Sequence, residues 1–291
     1  GVKWDWQVPL EDRKRGVLVK VRLPEVQSEK YDKRLKTAVE AGALSSAQAQ
    51  KLPSTVDYAS CAALGKRTRV FTWQLRDHEK LNVVGRRGIS SDFLMCLKIL
   101  RVFMQDRSWK TLHSHAVSRR FFMIFSDASG DSAGKGAIAA VLISAGGGMY
   151  VVRSNGDAEV QQWLVAVDSV QRINELEALA ALLAICSFAS YITGSDIIHF
   201  IDSTAAEGVL VKGFSGSRTL AAISGAYWHQ AAVLQVTSWI GRVPSKLNIA
   251  DGPSRNDCSD MYSLGWAIVP SKLQDPVYWQ AVLGSEHFAR A

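Results

Sequence analysis

Four carboxylates stand where an α/β chain can gather them. Asp127 lies in FFMIFSDAS (121–129), Glu177 in INELEALAALLAI (173–185), Asp202 in IIHFIDSTAA (197–206) and Asp251 in KLNIADGPSR (246–255). Asp127 and Asp202 each close an apolar run of the kind that makes a buried strand. Glu177 lies near the start of an apolar helix. In open α/β sheets the strand ends are where ligands bind, so these groups can converge on one sheet edge. Like charges about 4 Å apart repel by roughly 1 kcal/mol in water and about 4 at an effective dielectric of 20. A cluster of four therefore calls for cations. Mg²⁺, a hard oxygen-seeking ion, suits carboxylates plus a substrate phosphate, and two such ions would serve in-line phosphodiester hydrolysis.

Each residue also has a plain structural role open to it. Asp127 could cap a turn at Ser129–Gly130, Asp202 is a good helix N-cap, and Asp251 precedes the turn formers Gly252 and Pro253. It is their common order that argues for chemistry. Two glutamates compete on the helix. Positions two apart are about 200° apart in azimuth, so only one faces the site. Glu177 shares its stripe with Ala180, Ala181 and Ala184, small residues that let the helix approach the sheet, whereas Glu175 shares its stripe with Leu179 and Leu182. Glu177 is the expected site residue, and Glu175 is expected to be a solvated first-turn acid favouring the helix dipole.

The elements that must carry these residues change character along the chain. Residues 1–24 read as a hairpin of KWDWQV and GVLVKVRLP about the polar turn LEDRKR, and 25–78 read as helices. Ser45–Ser46 can cap a helix through AQAQKL that Pro53 should end or break. Residues 79–90 form a basic connector, and Ser90 or Ser91 caps the helix DFLMCLKILRVFMQD. The polar stretch RSWKTLHSHAVSRR suggests a boundary near residue 115. Beyond it come three strands (FFMIFS, 136–144 and 148–154), a helix over 173–192, a strand over 196–201, two helices and a strand over 234–240. The pattern predicts an α/β fold, a mixed five-stranded sheet with helical crossovers. The expected domains are 1–114, a small, mainly helical region, 115–259, which carries the sheet, and 260–291, a C-terminal tail.

The chain has 291 residues, 47% of them hydrophobic and 21% charged, as in a globular protein. Its net charge of +7 favours a polyanionic partner. Near the motif loops, Lys212, Arg218, Arg242, Lys246 and Arg255 are candidates for phosphate contacts. Trp228, Trp239 and His229 read as core or edge packing. Cys61, Cys96, Cys186 and Cys258 form no CxxC pair, which points to reduced thiols in an intracellular protein of cytoplasm or nucleus and to no zinc site. The longest apolar stretch, 178–192, is too short to span a membrane. SGDSAGKGA (129–137) has the wrong glycine spacing for a phosphate loop and no Ser or Thr after Lys135. Gly1–Val2 at the start suggests a processed product or a piece of a longer polypeptide.

FSDAS, ELEALAALLA, FIDSTAA and RVPSKLNIADGPSR together resemble the ribonuclease H domain of retroelement reverse transcriptases, in particular the DIRS-like, tyrosine-recombinase type with its VPS…N…ADGPSR ending. The likeness covers about 120–256. It implies a ribonuclease H-like fold with Asp127, Glu177, Asp202 and Asp251 as catalytic metal ligands. It also implies two Mg²⁺ ions, with Mn²⁺ as a substitute, and cleavage of the RNA strand of an RNA–DNA hybrid. GALSSAQAQKL…YASCAALGKRTR is similar to the thumb and connection segment upstream of that domain. No YxDD-type motif is present, so the polymerase active site would lie elsewhere in a polyprotein. The chain departs from cellular members in lacking a histidine in GRVPSKLN and in its longer 155–171 segment. Two other readings stay open: a catalytically silent module that binds nucleic acid or braces a polymerase, and a DNA-strand-transfer nuclease. The helix glutamate between the first two aspartates disfavours the second.

Overall fold

A computed structural model describes residues 3–5, 7–14, 17–42, 44–59, 65–81, 91–105, 110–113, 119–130, 136–155, 160, 163 and 172–273. The chain divides into two compact units, one up to Ser118 and one starting at Arg119. Cys61, the Asp131–Lys135 part of the glycine-rich stretch and most of 155–171 lie outside the described residues.

In the first unit, strands β1 (Lys3–Asp5) and β2 (Val17–Arg22) pair antiparallel, with Trp4 opposite Val21. The stretch read as a polar turn between them contains a short helix, α1 (Leu10–Lys14). A third strand, β3 (Lys110–His113), pairs with β2 where a polar boundary was expected. Four residues of mixed polarity are too few for alternation to betray a strand. Helices α2 (Glu25–Ala41), α3 (Ser46–Ala59), α4 (Arg69–Leu81) and α5 (Ser91–Gln105) supply a core that includes Leu35, Val56, Phe71, Leu97 and Leu100. Ser45 caps α3 reciprocally: its Oγ accepts from Gln48 N–H, and Gln48 Oε1 accepts from Ser45 N–H at 3.0 Å. Pro53, expected to end or break this helix, sits inside it. Pro53 is itself buried, as are Leu52, Val56 and Ala59 around it, so tertiary packing overrides the local propensity.

The second unit is built on a six-stranded sheet in the order β8-β7-β4-β5-β6-β9. Its strands are β4 (Phe121–Gly130), β5 (Gly136–Ser144), β6 (Met149–Ser154), β7 (Asp196–Ile201), β8 (Thr237–Arg242) and β9 (Ala267–Ile268). β4, β5 and β6 are antiparallel, whereas β4, β7 and β8 are parallel. The helical connections are α6 (Ile173–Ser187) and α7 (Ala189–Ile192) before β7, and α8 (Thr204–Lys212) and α9 (Arg218–Val233) after it. The sixth strand corrects the five-stranded expectation. β9 adds to the β6 edge in parallel and has only two residues, both exposed, so no periodicity announces it.

Strand alternation splits the core in two. On one face Ile124, Leu142 and Val152 are buried, and His199 meets Tyr227 of α9. On the other, Val141 and Val151 pack with Ala250 and Met261, joined by Phe125, Ile143, Met149 and Trp266. The last described segment, which includes the short helices α10 (Asp251–Ser254) and α11 (Ser259–Ser263), therefore contributes to the core. Trp239, expected to pack, is 71% exposed on the edge strand β8. Trp228 does pack, edge-on to Tyr227, and donates to Leu210 O at 2.8 Å.

At the start of the unit Arg119 works as a staple. Its guanidinium donates to Gly194 O (3.1 Å), Ser195 O (2.9 Å), Gln235 O (2.7 Å) and Thr237 Oγ1 (2.7 Å), and it pairs with Asp196 at 2.7 Å. Among the described residues, no helix is long and apolar enough to cross a membrane. Cys96 and Cys186 are buried and Cys258 half-buried, with no disulfide among them.

Candidate metal centre

The ladder between β4 and β7 ends at the pair Ser126↔Ile201. Asp127 and Asp202 are thus the next residues on two neighbouring parallel strands, and strand register alone brings them side by side. β4 itself continues to Gly130, paired only with β5, so Asp127 lies within a strand rather than at its end. Beyond Ser126 the flank of β4 that faced β7 is open. Glu177 of α6 comes to it and takes a backbone hydrogen bond from Ala128. Ligand oxygens of Asp127, Glu177 and Asp202 all lie within 4.8 Å of one another. Asp127 and Glu177 are 3% and 7% exposed.

Burial is the largest influence on both acids. It raises the Asp127 carboxyl to about 6, helped by Asp202 and Asp251 and opposed by the Ser254 hydrogen bond and Arg255. It raises Glu177 to about 9, with Asp127, Asp202 and Asp251 adding repulsion and the Ala128 hydrogen bond opposing. Glu177 Oε2 and Asp202 Oδ1 are buried with no hydrogen-bond partner among the described residues. Carboxylates converging in this way, each of two with an unpaired buried oxygen, form an all-oxygen donor set that fits a hard divalent cation such as Mg²⁺ or Mn²⁺.

Asp251 stands beside this triad rather than in it. It opens α10, it is 40% exposed, and its Oδ1 accepts from Arg255 Nε at 2.8 Å. Its field still reaches Asp127 and Glu177. The glutamate expected to be solvated is not. Glu175 is 6% exposed, and its Oε2 is buried without a partner among the described residues. Every residue from Glu175 to Ser187 is buried, so α6 is a core helix on all sides and has no solvated face to offer.

The basic candidates separate. Arg242 ends β8 in register with Ile201, one residue before Asp202, and is exposed. Lys246 is exposed in the single 3₁₀ turn Ser245–Leu247 that leads to Asp251. Arg255 is bound to Asp251. Lys212 ends α8, about 12 Å along the axis from the end next to Asp202. The backbone of Arg218 opens α9, and its side chain lies outside the described residues.

Two further residues belong to the site. Asn248 Nδ2 donates to Asp127 Oδ1 at 3.2 Å and to Ser126 O at 3.0 Å, and Ser254 Oγ donates to Asp127 Oδ2. Asn248, Asp251 and Ser254 are spaced by three, one turn apart. That N-x-x-D-x-x-S spacing within NIADGPS was the available signal.

No protein-family model matches the chain, and no curated protein matches it. Among solved structures it is similar to RNase H1 from the halophilic archaeon Halobacterium salinarum, with 19% identity over 48% of this chain and 98% of that one, at a TM-score of 0.35. It is likewise similar to the N-terminal RNase H domain of a Mycobacterium tuberculosis protein solved as a fusion with maltose-binding protein, with 13% identity over 50% and 98% and a TM-score of 0.35. Numbered within the second unit, the first five strands lie in the order 3-2-1-4-5, antiparallel among the first three and parallel among the first, fourth and fifth. The second unit is thus an α/β fold, a mixed sheet with helical crossovers, as the sequence pattern predicts.

Proposed function

We propose that the chain is a divalent-metal-dependent endonuclease that cuts the RNA strand of RNA–DNA hybrids. The observation that carries this reading is the Asp127–Glu177–Asp202 triad, with Asp127 and Glu177 buried and Asp202 half-buried, at the point where β7 ends. Asp127 and Asp202 would hold two Mg²⁺ ions, for which Mn²⁺ can substitute, and Glu177 and Asp251 would complete the shell. The ions supply Lewis acidity to the scissile phosphate and a more acidic bound water. The chain itself does the positioning. The strand register sets the two aspartates, the packed helix α6 holds Glu177 against water, and Asp251 stays at the mouth with solvent access. Arg242 and Lys246 stand at the same sheet edge to meet phosphates, with Lys212, Arg218 and Arg255 more peripheral. Discrimination of RNA from DNA would rest on 2′-hydroxyl contacts.

We further propose that the chain is the C-terminal part of a retroelement reverse transcriptase of the DIRS-like type. Residues 1–114 would then be its thumb and connection, 115–259 its nuclease, and the polymerase portion a partner in the same polyprotein. The resemblance of RVPSKLNIADGPSR and of the upstream helices supports this.

The test is cleavage of a labelled hybrid by the purified chain in Mg²⁺, beside Asp202→Asn. RNA-strand cutting that needs Mg²⁺ and is lost in the variant supports the nuclease. Binding of hybrid without cutting at any Mg²⁺ or Mn²⁺ concentration replaces it with a silent binding module. Cutting of duplex DNA in preference to hybrid would favour a strand-transfer relative.

A further inference from the structure

Asp127 is gripped by one short segment from the far end of its unit. Asn248 and Ser254 are 5% and 1% exposed, and each donates to a different oxygen of the same carboxylate. The orientation of the Asn248 amide is settled by its other end. Its Oδ1 accepts from Ala250 N–H at 3.2 Å, so Nδ2 must be the atom facing Asp127 and Ser126 O. Ser254 Oγ also lies 3.0 Å from Asp251 O. A hydroxyl has one proton, and the nearer acceptor is the Asp127 carboxylate. The segment is itself folded tightly. Asp251 N–H donates to Asn248 O and Ser254 N–H to Ala250 O, each at 3.0 Å. Ser254 O in turn accepts from Ser129 Oγ at 2.6 Å, two residues beyond Asp127 on β4.

This arrangement leaves Asp127 no free rotation about its terminal bond, and it ties Asp251 to the same unit of structure. Residues that orient a metal ligand act on metal affinity without touching the metal. We propose that Asn248 and Ser254 are positioning residues that fix the Asp127 carboxylate and so set the divalent-cation affinity of the triad, an inference that rests on the metal-centre reading above. They also make Asp127 and Asp251 one rigid pair, so that disturbing the 248–254 segment changes both carboxylates at once.

The experiment uses the full chain and reads Mn²⁺ binding directly, by calorimetry and by the loss of the free Mn²⁺ paramagnetic signal. Ser254→Ala and Asn248→Ala are compared with wild type and with Ser254→Thr, which keeps the hydroxyl. The expected result is a loss of Mn²⁺ affinity of about 10-fold in each alanine variant. Ser254→Thr should recover to within about threefold, and all variants should keep the wild-type far-UV spectrum. Ser254→Cys keeps the size with a weaker donor and should fall between Ala and Thr. Wild-type affinity in folded Ser254→Ala and Asn248→Ala overturns the proposal, as does a loss that Thr fails to recover. If wild type binds no Mn²⁺, the metal-centre reading and this inference fall together. If Mn²⁺ binds and weakens as stated while hybrid is never cut, the positioning roles stand and the nuclease reading alone falls.

Discussion

Glu175 and Glu177 share one helix turn and nearly the same burial, yet only Glu177 lies with the aspartates. Glu177→Gln should therefore abolish Mn²⁺ binding, and Glu175→Gln should leave it within about twofold, as calorimetry would read. Because burial and its neighbours raise Glu177 to about 9, it carries a proton at neutral pH in the metal-free chain. A divalent ion must displace that proton. Mn²⁺ affinity should thus climb between pH 6 and 9, and calorimetry in buffers of different ionisation enthalpy should show about one proton released near pH 7. The acids themselves were legible in the sequence because each aspartate of the triad follows an apolar run. Their supports were not. Asn248 and Ser254 reach Asp127 only because Asp251 and its neighbours close two successive turns, and turn closure depends on tertiary contacts such as the Ser129–Ser254 bond.

Among the elements, α6 packs over β5 at Gly136, where an added Cβ would overlap the Leu176 side chain. Leu176 is 4% exposed and neighbours Glu177, so it has little room to yield. Gly136→Val should cost about 1–3 kcal/mol in denaturant unfolding and, by moving α6, should weaken Mn²⁺ binding as well. Wild-type Mn²⁺ affinity in this variant would mean that Leu176 gives way alone. The main elements of the second unit were readable in order and type, because most of its strands are apolar runs and two of its helices begin at serines that do cap them, Ser203 for α8 and Ser217 for α9. What failed was short or context-bound. β3 and β9 are strands of four and two residues made by their partners, and Pro53 is carried through α3 by the core around it.

For the whole molecule, three buried groups pull stability in opposite directions with pH, His199 one way and Asp127 and Glu177 the other. His199 is fully buried, donates and accepts within the Ser126–His199–Tyr227 network, and is held down to about 3 by burial. An unfolded chain takes up that proton near pH 6.5, so His199 makes the fold lose stability as pH falls from about 6.5 towards 3. Asp127 and Glu177 are raised in the folded chain, so their contribution is present at acid pH and is lost as pH rises through about 6 and about 9. Metal-free protein should consequently gain less from alkaline pH than His199 alone would allow, and Mg²⁺ should raise its melting temperature most near pH 9. Glu177→Gln should melt higher than wild type without metal and lose the Mg²⁺ effect, a pairing that thermal scans at pH 5, 7 and 9 would check.

The Arg119 staple has a practical reach for anyone dissecting this chain. With its side chain 7% exposed, it joins the segment before β4 to Gly194, Ser195 and Asp196 before and within β7, and to Gln235 and Thr237 around the start of β8. A shortened gene opening at Phe121 would keep every strand of the second unit and all four candidate carboxylates yet leave three parallel strands untied at their first residues. Such a piece should melt roughly 4–8 °C below one opening at Arg119, for a loss of about 2 kcal/mol. The place to begin the second unit is thus set by an arginine two residues outside its first strand, at the end of the sheet opposite the Asp127–Glu177–Asp202 triad.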